Sequence, residues 1–65
     1  MKILIADIRN KKNISLSQLS KMTGIPKSTI SDCENGKYSP RIDFLEKIAI
    51  ALCVKISDLY ESEYK

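Results

Sequence analysis

Histidine and tryptophan are missing from this 65-residue chain, and cysteine, glycine and proline number two each. Without histidine there is no imidazole to ligate a metal or to serve as the base of a nucleophilic dyad. The two cysteines, Cys33 and Cys53, form no CxxC pair, and both read as small core residues, kept reduced in a cytosolic protein. Two isolated glycines make no phosphate-cradling loop. No enzymatic activity, metal or other cofactor is therefore expected. No apolar run approaches the ~20 residues of a membrane span, and the N-terminus has no secretory cleavage pattern. The expectation is a soluble, cytoplasmic protein with no membrane partner and no evident small-molecule ligand.

What is present suits one small helical domain. The hydrophobic fraction is 43% and the net charge +3, with a pI near 9.0. Charge is unevenly spread. Residues 1–42 hold eight Lys/Arg against three acids, a net +5, whereas residues 43–65 hold three lysines against five acids, a net −2. The positive half suits contact with phosphate, although plain solvation of a small domain gives similar differences.

Residues 1–65 are read as one domain. A first helix is expected over Met1 to about Lys12, with Ile5 and Ile8 at helical spacing, and Asn13 is its left-handed stop. Ser15 with Gln18 three residues later is a capping-box pattern. It starts a second helix over about Leu16–Thr23 with Leu19 and Met22 on its buried face, and Gly24 closes it. Pro26 opens a third helix over about Lys27–Asn35, tolerated there because a first-turn N–H has no intrahelical partner. Ile30 and Cys33 form its narrow apolar stripe, leaving Lys27, Ser28, Ser31 and Asp32 outside. Ile42, Leu45, Ile48, Ala49 and Leu52 give a fourth helix its core stripe, and a short fifth helix is expected around Leu59. The fold class is all-α, a compact five-helix domain.

Two short helices joined at Gly24, with Ile25 plugging the corner, make a helix-turn-helix over about residues 15–36. Ile14-Ser15, Leu19, Thr23-Gly24-Ile25, Ser28-Thr29-Ile30-Ser31 and Glu34-Asn35-Gly36 resemble the Xre-type helix-turn-helix of phage repressor and Cro proteins. Ser39-Pro40, Leu45, Lys47-Ile48-Ala49, Ala51-Leu52, Val54 and Leu59 continue the likeness, which spans about Ile5 to Tyr60. It implies sequence-specific binding of double-stranded DNA and transcriptional regulation, read as repression, with the third helix in the major groove.

By that resemblance Lys27, Ser28 and Asp32 face bases. Lys27 would donate to guanine O6 or N7 and Asp32 would accept from cytosine N4, suggesting a G/C-containing half-site. Thr29, Asn35, Lys37, Tyr38 and Arg41 would meet the DNA backbone. Arg9 and Glu34 match a pair that joins the first and third helices. Three residues depart from the family pattern. Leu16 stands where relatives often place a phosphate-touching glutamine, Pro26 replaces a Ser or Thr cap, and Asp32 brings a negative charge to the DNA. Cys53 takes the usual place of a helix-ending glycine. A monomer this small offers few base contacts, so a homodimer on a two-fold operator is expected. Ile50, Ile56 and Tyr60 are its candidate interface residues, with Phe44 and Tyr64 behind them. The alternative reading is an antitoxin-like or other protein-interaction module with secondary DNA binding.

Overall fold

The computed structural model describes residues 2–37 and 39–64. In chain order these form strand β1 (Lys2–Ile3), helices α1 (Ile5–Lys11), α2 (Leu16–Thr23), α3 (Lys27–Glu34) and α4 (Ile42–Leu52), a single 3-10 turn at Ile56–Leu59, and strand β2 (Tyr60–Glu61). Among the described residues the fold is all-helical apart from one short ribbon, with four α-helices rather than five. The segment expected as a fifth helix is four residues long. It is too short to repay helix nucleation, and it leads directly into a strand.

The first helix also starts later than the sequence suggested. Lys2 and Ile3 pair antiparallel with Glu61 and Tyr60, and Leu4 N–H donates to Leu59 O at 2.8 Å. Those backbone groups thus find their partners at the far end of the chain instead of in a helical turn. The ribbon ties β1 beside the last turn of the fold.

Helix boundaries follow local chemistry. Ser15 Oγ accepts from Gln18 N–H at 3.1 Å while Ser15 N–H donates to Gln18 Oε1 at 2.8 Å, a complete capping box that starts α2. Helix α3 begins after Pro26, which has no side-chain cap bond but whose carbonyl accepts from Thr29 and Ile30. Helices α1, α3 and α4 stop alike. Each is followed by a left-handed residue, Asn13, Gly36 and Cys53 with φ of 57°, 76° and 58°. The next N–H (Ile14, Lys37, Val54) then reaches back five residues to Arg9, Asp32 and Ala49 carbonyls. This is the Schellman arrangement, which satisfies carbonyls left over at a helix end.

The core is Ile5, Leu19, Ile30, Cys33, Leu45, Ile48, Ala49, Leu52 and Leu59, all buried. It draws on every helix and on the 3-10 turn, so no helix pair can fold its apolar face alone. Three residues expected in it lie outside. Met22 is 53% exposed and Ile42 66%. Met22 sits at the edge of the α2 stripe, where the chain turns away at Gly24. Ile42 opens α4, and first-turn side chains lean past the helix's own N-terminus, here beyond the packed elements. Cys53 is exposed because its left-handed backbone turns the side chain off the stripe of α4.

Candidate nucleic-acid interface

The corner between α2 and α3 is fixed by short bonds. Gly24 has φ 73° and ψ 9°, a conformation open to glycine without the strain a Cβ would bring. Its N–H donates to Ser20 O at 2.8 Å. Ser20 Oγ–H donates to Ile25 O at 2.6 Å, and Thr23 Oγ1 bonds both ways, donating to Leu19 O at 2.8 Å and accepting from Ile25 N–H at 3.2 Å. With Leu19 and Ile30 fully buried on either side, α3 is held by its inner face and leaves the opposite face to solvent.

Lys27 and Ser28 are exposed in the first turn of that face, and Ser31 and Asp32 are half-exposed one turn on. Ser28 and Asp32 are four residues apart and share one helix face. Lys27 does not project freely: its Nζ donates to Ser17 Oγ at 3.2 Å, across from the first turn of α2. Nearby Leu16 is half-buried and packs against the core, so Ser17 is a polar group that α2 presents here. Thr29 is half-buried.

The C-terminal end of α3 gathers more of the candidate residues. Asn35 Nδ2 donates to Ser31 Oγ at 3.4 Å. Lys37 Nζ lies 3.4 Å from Asp32 Oδ1, so a residue expected to read a base and one expected to meet phosphate are paired with each other. Arg41 stands apart at the start of α4, exposed, its Nε 3.7 Å from Asp43 Oδ1. Tyr38 lies outside the described residues.

Behind this surface Arg9 and Glu34 meet. Arg9 Nε donates to Glu34 Oε2 at 3.0 Å, Nη2 to Oε1 at 3.3 Å, and Nη1 to the Ile14 carbonyl at 3.2 Å. One guanidinium thereby joins α1, the loop after it and the last residue of α3. Burial pushes the neighbouring Cys33 thiol up from its ordinary pKa, and the Glu34 carboxylate adds to the rise. The candidate interface residues separate. Ile50 is 72% exposed on α4, whereas Ile56 and Tyr60 lean on the core. Among the described residues no three side chains gather as a metal site, and no helix is long and apolar enough to cross a membrane.

The sequence carried no sign of two of these contacts. Ser17 is ten residues from Lys27, and only the folded corner brings them together. Asp32 and Lys37 are five apart across a helix stop, and a helical-spacing argument ends where the helix does.

The helix-turn-helix family model matches residues 5–59. An uncharacterized HTH-type transcriptional regulator of Archaeoglobus fulgidus is 35% identical over 60 residues, covering 92% of this chain and 84% of that protein. The HTH-type transcriptional regulator SinR of Bacillus subtilis is 36% identical over 62 residues, which are 94% of this chain but 56% of SinR. This chain therefore spans little more than half of that relative. The solved N-terminal DNA binding domain of SinR from Bacillus subtilis matches the fold with a TM-score of 0.79 at 34% identity, over 94% of this chain and 90% of that one.

Proposed function

This chain belongs to the helix-turn-helix family of DNA-binding transcriptional regulators, and on that footing we propose that it reads an operator through the major groove with α3, as a homodimer, and acts as a repressor. The observation that carries this reading is the outer face of α3. Lys27, Ser28 and Asp32 lie on it, while Ile30 and Cys33 anchor the opposite face at 0% exposure. A groove about 12 Å wide admits one helix, and a helix pinned from behind enters it without giving up its packing.

Base contacts fall to Lys27, Ser28 and Asp32; backbone contacts fall to Thr29, Asn35, Lys37, Arg41 and Tyr38. The net +5 of residues 1–42 supplies the attraction that brings the face to DNA. The dimer rests on the small number of base contacts one copy offers and on Ile50, an apolar side chain left outside the core. Repression requires no more than occupancy of the operator.

Two measurements test this. Affinity for duplex DNA should fall steeply as salt rises, with log K linear in log salt. Selection from a random duplex pool should return a two-fold site whose half-sites are about 10 bp apart or a multiple of that. A slope near zero, or a pool without a common site, refutes sequence-specific reading. Sedimentation that finds a monomer both on and off the selected site refutes the dimer.

A further inference from the structure

The end of α3 places two opposite charges together by backbone geometry. Gly36 N–H donates to Cys33 O at 3.1 Å and Lys37 N–H donates to Asp32 O at 3.0 Å, with Gly36 at φ 76°. That stop folds Lys37 back over the turn holding Asp32, and its Nζ comes 3.4 Å from Asp32 Oδ1. The side chains are 67% and 44% exposed, and a pair this wet adds little to folding stability. Its consequence lies at the reading face, where the Asp32 carboxylate repels DNA phosphate.

An aspartate facing a base edge meets two conditions before it discriminates. Its oxygen must point at the cytosine amine, and its charge must not cost more against neighbouring phosphates than the amine returns. Lys37 answers both. Its ammonium lies against one carboxylate oxygen, Oδ1, from the side of the helix stop, and it offsets the negative charge locally. Lys27 and Ser28, the other proposed readers, stand on the first turn of α3, where Lys27 Nζ donates to Ser17 Oγ instead.

We infer that Lys37 is a specificity-determining positioning residue, which holds the Asp32 carboxylate in its reading orientation through the Asp32–Lys37 ion pair. This rests on Asp32 being a base reader, as proposed above. It departs from that proposal in one respect: as a phosphate contact alone, Lys37 strengthens every duplex equally, whereas as a positioning residue it acts on one base pair.

The test compares wild type with K37A, K37R, D32A and the double variant D32A/K37A. Affinities are measured for the selected operator, for each of its single-base-pair variants and for random duplex DNA, at one salt concentration. K37A should lose about fivefold or more of the preference at the same base pair that D32A relaxes. The double variant should lose no further preference there than D32A alone, and K37R should restore it, since a guanidinium still pairs with a carboxylate. Circular dichroism of each variant confirms that the fold is kept, as expected for exposed side chains. If K37A weakens all sequences equally while D32A relaxes one position, Lys37 is a phosphate contact and the inference is overturned by itself. If D32A keeps every preference, Asp32 does not read a base, and the underlying assignment falls together with the inference.

Discussion

Truncating Arg9 or Glu34 should cost this domain a large part of its stability, and the structure gives the size. The guanidinium and carboxylate share two hydrogen bonds in a fork, and their side chains are 14% and 10% exposed. Removing one partner of a fully buried pair costs about 3–5 kcal/mol, mostly because the other charge is left without its counterion. Some water reaches this pair, so about 2–3 kcal/mol is expected for either Ala substitution. Domains of this size have in total about 3–10 kcal/mol. At ~4–8 °C per kcal/mol for a small domain, the midpoint of thermal unfolding should fall by roughly 10–20 °C. Arg9→Ala should be the more damaging of the two, because it also frees the Ile14 carbonyl that Nη1 holds at 3.2 Å. The double variant removes both charges, so it should recover about 1–2 kcal/mol of the summed losses. The assay is urea and thermal unfolding of the four proteins by far-ultraviolet circular dichroism. If the double variant equals the sum of the singles within about 0.5 kcal/mol, the pair contributes no coupling and the reasoning fails.

Arg41→Ala should weaken binding to all duplexes alike and flatten the log K against log salt line by about one unit, as expected for a phosphate contact with no base to read; a changed base preference would refute it. Ile50→Asp should abolish dimers in sedimentation while leaving the helical signal intact, since Ile50 is 72% exposed; an unchanged dimer moves the interface elsewhere. Cys53→Gly should raise stability by up to about 1 kcal/mol in urea unfolding, because a side chain at φ 58° carries strain that glycine lacks; a loss of stability would show that Cys53 is not strained. Burial raises the Cys33 pKa in the folded state, so its contribution is complete below the thiol's ordinary pKa and disappears as pH climbs through the raised one. Wild type should therefore lose stability more steeply than Cys33→Ala on the alkaline side, and parallel pH curves would refute this.

Local signals were read from the chain with little loss. The capping box at Ser15 and Gln18, the left-handed stops at Asn13 and Gly24, and the Ile30–Cys33 stripe all depend on residues within one or two turns of each other. Their physics is complete in a short peptide: a side-chain oxygen for an orphan N–H, a backbone angle that glycine or asparagine tolerates, a stripe that repeats with the helix. The corner residue Ile25 and the central stripe of α4 (Leu45, Ile48, Ala49 and Leu52) follow from the same short-range pattern.

Tertiary structure decided what depends on the chain's return. Lys2 and Ile3 are strand rather than helix because Glu61 and Tyr60 come back to pair with them, and no local propensity encodes a partner nearly sixty residues away. Ile42 and Met22 fit an apolar stripe by spacing yet lie outside, because spacing gives the direction of a side chain and not whether another element arrives to cover it. The contact of Lys27 with Ser17 forms only after the chain has turned the corner between α2 and α3. Hydrogen bonds along one helix are set by its repeat. Contacts between elements are set by where the whole core packs, and that is a property of all the apolar residues at once.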